Sequence, residues 1–151
     1  TGESQVQDFV LIGSGSVKGV AYNLTTDGLS PSTTNRPRIS ANSVYVGFEA
    51  NIVTVSAVSS GTQFYEHYQI KGSLFKNSSG VNQPVQQTKT LFATNSPIRL
   101  ISTTIPLTNP IIGFPTGNVV SITNLFNNNA SVSNVTSFRT VCYFRMYTVK
   151  I

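Results

Sequence analysis

The sequence predicts an all-β protein, a single antiparallel β-sandwich domain of the jelly-roll type spanning residues 1–151. Apolar and polar residues alternate along most of the chain, and this period of two is typical of strands. Ser, Thr and Asn make up 51 of the 151 residues, and these residues favour strands and turns over helices. Nine Phe and six Tyr residues supply large side chains for a sheet core.

Eight strands are expected in order along the chain. They lie at residues 6–12, 16–24, 43–58, 62–76, 89–92, 98–105, 119–126 and 137–151, separated by turn-rich pieces such as "TTDGLSPSTTNRPR" and "NNNASVSN". Residues 1–12 are interpreted as the first strand or as an N-terminal arm that is donated to another copy.

The segment "GSGSVKG", residues 13–19, follows the first strand and contains the glycines of a phosphate-binding loop. A P-loop places its lysine after the last glycine and leads into a helix. Here Lys18 precedes Gly19, and "VAYNL" continues as a strand. We therefore interpret the segment as a turn or bulge.

The strongest alternation runs from residue 42 to residue 76 and predicts a long antiparallel hairpin. One face of it is apolar, with Val44, Val46, Phe48, Ala50 and Ile52 before the turn and Phe64, Tyr68, Ile70 and Leu74 after it. His67 then falls on the opposite, polar face with Tyr65, Gln69, Lys71 and Ser73. Glu66 falls on the apolar face. The strand twists or bulges there, it ends there, or Glu66 pairs with a cation such as Arg139 or Arg145.

The last strand, "SFRTVCYFRMYTVKI", has apolar residues on both faces. Such a strand is either central in a sandwich or pressed against a second subunit.

The composition argues against several classes of chemistry. One cysteine, Cys142, and one histidine, His67, allow neither an intrachain disulfide nor a zinc cluster, and no metal or cofactor is expected. The ten basic residues are scattered, which predicts no nucleic-acid binding, and no apolar stretch is long enough for membrane insertion. Glu66 and His67 are adjacent on a strand, so their side chains point to opposite faces and cannot form a catalytic pair. We expect no enzyme.

From residue 42 onward the order of segments resembles the C-terminal β-sandwich head domains of phage and viral fibre and spike proteins. In those heads an extended strand is followed by Tyr-x-Ile-x-Gly-x-aliphatic and then a basic residue, which here are Tyr68, Ile70, Gly72, Leu74 and Lys76. A later apolar strand and an aromatic terminal strand match residues 119–124 and 138–151. The resemblance implies a homotrimer on a virion that binds a host-surface glycan or protein.

The function expected from the sequence is therefore a non-enzymatic structural and attachment domain at the virion surface or outside the cell, which assembles with itself as a trimer or larger. The alternative is an extracellular filament or capsid jelly-roll subunit that assembles by strand or sheet contacts. Candidate binding residues are exposed aromatic and polar-loop residues, namely Tyr65, His67, Asn82, Gln83, Asn127, Asn128 and Asn129.

Overall fold

The computed structural model describes residues 4–16, 19–32, 34–39, 42–58, 63–80, 86–96, 111–113, 119–125 and 135–150. These residues form eight strands: β1 (Ser4–Gly15), β2 (Ala21–Asn23), β3 (Val44–Val58), β4 (Tyr65–Lys76), β5 (Gln86–Thr94), β6 (Ile111–Gly113), β7 (Ser121–Leu125) and β8 (Val135–Lys150). All paired strands run antiparallel. The prediction of an all-β fold is confirmed.

The strands form two sheets that pack into a sandwich. The larger sheet has the order β1-β8-β3-β4-β5, and the smaller has the order β2-β7-β6. The sheets meet at one corner, where Ile12 and Thr25 exchange backbone hydrogen bonds of 2.7 and 3.0 Å. Buried side chains of both sheets form a single core, including Phe48, Ile52, Ile70, Leu74 and Phe144 of the larger sheet and Ile112 and Ile122 of the smaller.

The predicted hairpin is present as β3 and β4, which pair without interruption from Val44–Lys76 to Val55–Tyr65. Its apolar face is the inner face, because alternate residues of β3 from Val44 to Ile52 are buried. The period-two pattern therefore selected the correct face along the whole hairpin.

The last strand, β8, lies inside the larger sheet, paired with β1 on one side and β3 on the other. Phe138, Cys142, Phe144 and Met146 point into the core and are buried. Of the two interpretations of its doubly apolar sequence, the central position is the observed one.

A buried polar cluster joins the two sheets at Thr140. Its hydroxyl oxygen lies 2.8 Å from Tyr22 Oη, 2.9 Å from Thr54 Oγ1 and 3.2 Å from Asn124 Nδ2. Thr54 and Thr140 belong to the larger sheet, whereas Tyr22 and Asn124 belong to the smaller. Burial raises the pKa of Tyr22 above its ordinary value, so the phenol stays protonated at neutral pH and can donate.

Some boundaries differ from the prediction. Among the described residues of the expected strand at 16–24, only Ala21–Asn23 form a strand, and Ile111–Gly113 forms a short strand where only turns were expected. Prolines flank that segment and hid it from the pattern. The expected strand at 98–105 lies outside the described residues. β1 pairs with β8 of its own chain as an edge strand, and its donation to another copy stays a prediction.

Replacing Gly72 with Ala is expected to cost about 1–3 kcal/mol of stability through overpacking. A Cβ at this position would collide with the backbone oxygen of Gln86 in β5 and would lie 2.6 Å from Cζ of Phe48. The matched control is Gly47→Ala on the neighbouring strand, where the nearest atom to the new Cβ is 3.5 Å away in Tyr147. Thermal unfolding of both variants tests this, and equal melting temperatures would contradict it.

Candidate functional site

One face of the larger sheet is turned away from the core and is called here the outer face. Its large apolar side chains remain substantially exposed, and they are Val6, Val10, Tyr45, Val55, Tyr65, Phe92, Tyr143 and Val149. Monomeric soluble proteins seldom leave so many large apolar side chains together in water unless the surface binds something.

A row of four charges crosses the middle of the outer face. In β1, β8, β3 and β4, respectively, neighbouring register positions hold Asp8, Arg145, Glu49 and Lys71. Along this charge row the signs alternate. Arg145 donates two hydrogen bonds to Asp8, from Nε to Oδ1 at 2.7 Å and from Nη2 to Oδ2 at 3.1 Å, while Lys71 Nζ lies 3.9 Å from Glu49 Oε1.

The hydrogen bonds from Arg145 hold the pKa of Asp8 below its ordinary value, and they raise the pKa of Arg145. Both groups are therefore charged near neutral pH. The bidentate geometry also fixes the orientation of both side chains on the sheet surface.

His67 lies half-buried on the outer face, two rows away from the charge row. Its Nε2 is 2.9 Å from Asn51 Oδ1, and Gln69 Nε2 donates to the same oxygen at 3.1 Å. Because this amide oxygen can only accept, Nε2 of His67 carries the hydrogen. The ring also meets Phe92 edge to face, with centroids 5.0 Å apart. The predicted polar face for His67 is confirmed, and its ring is held by two neighbours.

Glu66 occupies the inner face and is fully buried. The pairing of β4 with β5 shifts register between His67 and Tyr68 because β5 holds one extra residue there, Phe92. β4 itself alternates without interruption through Glu66, so the expected bulge of this strand at Glu66 is wrong. The alternative pairing of Glu66 with Arg139 or Arg145 is wrong, because Glu66 points inward, whereas both arginines lie on the outer face of β8.

A pocket of about 580 Å³ opens at one end of the larger sheet and is called here the end pocket. It lies where β1 and β3 end and β8 begins, and its lining residues are Ser14, Gly15, Ser16, Val55, Ser56, Gln63, Ser137, Phe138 and Arg139. Ser56 is held in place because its Oγ accepts from Phe64 N at 3.0 Å and donates to Phe64 O at 3.3 Å. Serine residues thus line part of the pocket wall, and the Ser56 hydroxyl is fixed by Phe64.

Arg139 stands at the rim of the end pocket and also borders a second hollow of about 360 Å³ that includes Asp27 and Gly28. Asp27 Oδ1 already accepts from Leu29 N, Asn35 Nδ2 and Thr25 Oγ1 at 3.0 to 3.2 Å, and these bonds lower its pKa. Within the described parts of the chain, no acidic side chain forms an ion pair with Arg139. Its guanidinium is therefore available to an anionic ligand.

Two of the binding residues predicted from the sequence lie near the end pocket. Tyr65 is in register with Val55, which is in register with Arg139, so the three side chains form a row leading to the end pocket. His67 follows in the next row of β4. The other predicted residues, Asn82, Gln83, Asn127, Asn128 and Asn129, lie outside the described residues.

Sequence reasoning missed the serines of the end pocket and assigned Arg139 only as a partner for Glu66. The serines come from segments far apart in the sequence, and no local motif marks them. A usable signal was present for Arg139, because it is a charged residue in a strand that is apolar on both faces, and no acid stands beside it in the sequence.

The described residues contain no group of three or more His, Cys, Asp or Glu that could hold a metal ion. Cys142 is buried in the core, and this burial raises the pKa of its thiol. Among the described residues, no helix is long and apolar enough to cross a membrane.

The two sheets and their shared core place the chain in the class of all-β sandwiches. No protein-family model matches the chain, and no curated protein matches it. Among solved structures it is similar to the tailspike protein of Acinetobacter baumannii phage AM24, with 10% sequence identity and a TM-score of 0.40. The match covers 97% of this chain and 26% of the tailspike, so the chain spans about a quarter of that protein's length. This likeness is weak and concerns the fold alone.

Proposed function

We propose that this domain is a non-enzymatic structural and attachment domain of a virion, in the head of a fibre or spike. It assembles with copies of itself and binds a host-surface glycan through the end pocket. The observation that carries the proposal is Arg139, whose guanidinium pairs with no acid among the described residues. It stands at the rim of a pocket whose walls present serine hydroxyls and the Gln63 amide.

The chemistry of the end pocket fits a saccharide with an anionic substituent. Arg139 offers a planar fork of donors to a carboxylate. Ser14, Ser16 and Ser137 provide hydroxyls that both donate and accept, as the hydroxyls of a sugar require. Val55 and, along the same row, Tyr65 supply apolar surface for the ring. A pocket of this kind can bind its ligand without a catalytic residue.

A non-enzymatic role is supported by the surroundings of the two side chains most suited to catalysis. His67 is engaged by Asn51 and Phe92, and its sequence neighbour Glu66 points to the opposite face of the sheet. The Cys142 thiol is buried and its pKa is raised, so it is a poor nucleophile at neutral pH.

The assembly is proposed to be a homotrimer of jelly-roll heads at the virion surface, as the resemblance of the sequence implies. A second candidate function, an extracellular filament or capsid subunit, is favoured by one observation. Among the described strands, β1 lies at the edge of the larger sheet and pairs with β8 alone. An edge strand can be exchanged between copies at little energetic cost.

Arg139→Ala is expected to weaken binding to acidic glycans by about tenfold or more, the effect of removing a binding hot spot. A labelled domain applied to a glycan array measures this. The matched control is Arg38→Ala, which removes the same charge from an exposed position away from the pocket. Melting temperatures should stay unchanged in both variants. Binding to no glycan, or an equal loss in the control, would contradict the proposed attachment site.

A further inference from the structure

The outer face has no covering layer among the described residues, and its charges have a specific symmetry. Reading across the four strands, the charge row is negative, positive, negative, positive, as Asp8, Arg145, Glu49 and Lys71. The midpoint of this row lies between Arg145 and Glu49, that is, between β8 and β3. About that midpoint the row is antisymmetric, because each charge has the opposite charge at the equivalent position on the other side.

A two-fold axis that runs parallel to the strands through this midpoint would lay the outer face on the same face of a second copy. The axis reverses the order of the strands and keeps each row opposite itself. Asp8 then faces Lys71 of the partner subunit, and Glu49 faces Arg145 of the partner subunit. All four charges meet an opposite charge, and the two-fold axis generates each of these two pairs twice in the dimer.

Other symmetries do not have this property. A two-fold axis along the charge row would keep the strand order and set each charge against its own copy, which is unfavourable. A three-fold axis cannot place a face against the same face of another copy, because only an isologous contact does so. The charge row therefore selects one arrangement among those that closed oligomers use.

The second row on each side of the charge row supports the same arrangement. On one side, Val141 and Val53 are neighbours in register and would meet in the paired faces. Toward the other end of the sheet, Val149 and Tyr45 are neighbours in register, and both are more than two-fifths exposed. At the central positions of these two rows an apolar side chain meets an apolar side chain under this operation, and their exposed apolar surface is removed from water.

The area is sufficient for a specific contact. The paired surface consists of five rows, namely the charge row and two rows on each side of it, across four strands. It measures about 30 Å by about 19 Å, given strand spacings of about 4.8 Å and a rise of about 3.4 Å per residue. Two such faces bury roughly 1,100 Å², which exceeds the approximate 1,000 Å² expected of a biological interface.

We infer that the outer face is a two-fold self-association surface, in which Glu49 pairs with Arg145 and Asp8 pairs with Lys71 across two copies of this chain. This inference goes beyond the proposed attachment function. The two-fold contact forms in addition to the proposed trimer or in its place. The end pocket lies outside the five paired rows.

The test uses two charge reversals, Glu49→Arg and Arg145→Glu. Each variant alone sets like charges against each other at both central contacts, and its self-association should weaken by at least about tenfold. When the two variants are mixed, the arginine introduced in one copy meets the glutamate introduced in the other. At the second central contact, the unchanged Arg145 of the first copy meets the unchanged Glu49 of the second. The mixture should therefore regain the affinity of the natural chain.

Sedimentation equilibrium of the natural chain, of each variant and of the equimolar mixture measures these states. An even number of chains, a dimer or a hexamer of two trimers, supports the inference when the mixture also reassociates. Monomers or lone trimers of the natural chain would overturn it, as would a mixture that behaves like its separate components. Thermal unfolding checks that each variant folds. Should one fail, the outer pair Asp8→Lys and Lys71→Glu provides the same test.

The attachment proposal is measured separately. Glycan binding through the end pocket should persist in Glu49→Arg, while Arg139→Ala should lose glycan binding and keep its self-association. Failure of either proposal therefore leaves the other measurable.

Discussion

Replacing Phe144 with Ala is expected to lower the free energy of unfolding by about 3–5 kcal/mol. Phe144 is 1% exposed at the centre of the sandwich core. Its ring lies 6.0 Å from that of Phe48 and 6.3 Å from that of Phe9, measured between centroids. The side chain thus links β1, β8 and β3 on their inner side, and its removal leaves a cavity that strands of a fixed sheet cannot close.

Denaturant unfolding followed by circular dichroism measures this loss. The matched control is Phe92→Ala, which makes the same truncation at a side chain that is 62% exposed. We expect the control to lose less than about 1 kcal/mol, as exposed positions usually do. Equal losses in the two variants would mean that the core is not centred on Phe144.

Replacing Thr140 with Val is expected to cost roughly 2 kcal/mol or more, although the two side chains have nearly the same shape. The Thr140 hydroxyl has one hydrogen and two lone pairs, and its three partners use all of them. Valine would leave Tyr22, Thr54 and Asn124 without this partner in the core. Each stranded buried polar group costs about 1–3 kcal/mol.

Thr140→Ser is the control for this prediction, because it retains the hydroxyl and removes only a methyl group. Its loss of stability should be clearly smaller than that of Thr140→Val in the same unfolding experiment. A valine variant as stable as the natural chain would show that the hydrogen bonds between the sheets contribute nothing net.

The two surfaces proposed here have different tasks, and this separation follows from where they lie. The outer face is flat, exposed and ordered by regular pairing of long strands, which suits contact with another flat face. The end pocket forms where strands stop, so backbone ends and small side chains leave a concave space. A domain with both features can assemble through one surface and bind a ligand at the other.

Much of the fold was predictable because strand periodicity is a local property. The hairpin of β3 and β4, the inward direction of Phe48 and Ile52, and the outward direction of His67 all follow from alternation along a few residues. The sequence also indicated that the last strand was unusual, since both its faces were apolar. It did not say whether the strand was central or met another subunit.

The binding surfaces were less predictable. Tyr65 was identified as an exposed aromatic, and it leads to the end pocket. The pocket itself needed the juxtaposition of Ser14, Val55 and Arg139, which belong to three strands distant in sequence. The pairing of Glu66 with Arg139 or Arg145 failed because Glu66 faces the core, whereas both arginines face outward from β8. The faces of two separate strands can be related to each other only once their places in the sheet are known.

By itself, then, the amino-acid order determined the long strands and which of their side chains face inward, because each side chain's direction depends on its immediate neighbours. Only the tertiary structure decided that β8 lies between β1 and β3, which brings Arg145 within 2.7 Å of Asp8, a residue 137 positions away. The charge row and the end pocket both depend on that order of strands. Pairing between distant segments depends on the packing of the whole core, and no short stretch of sequence contains it.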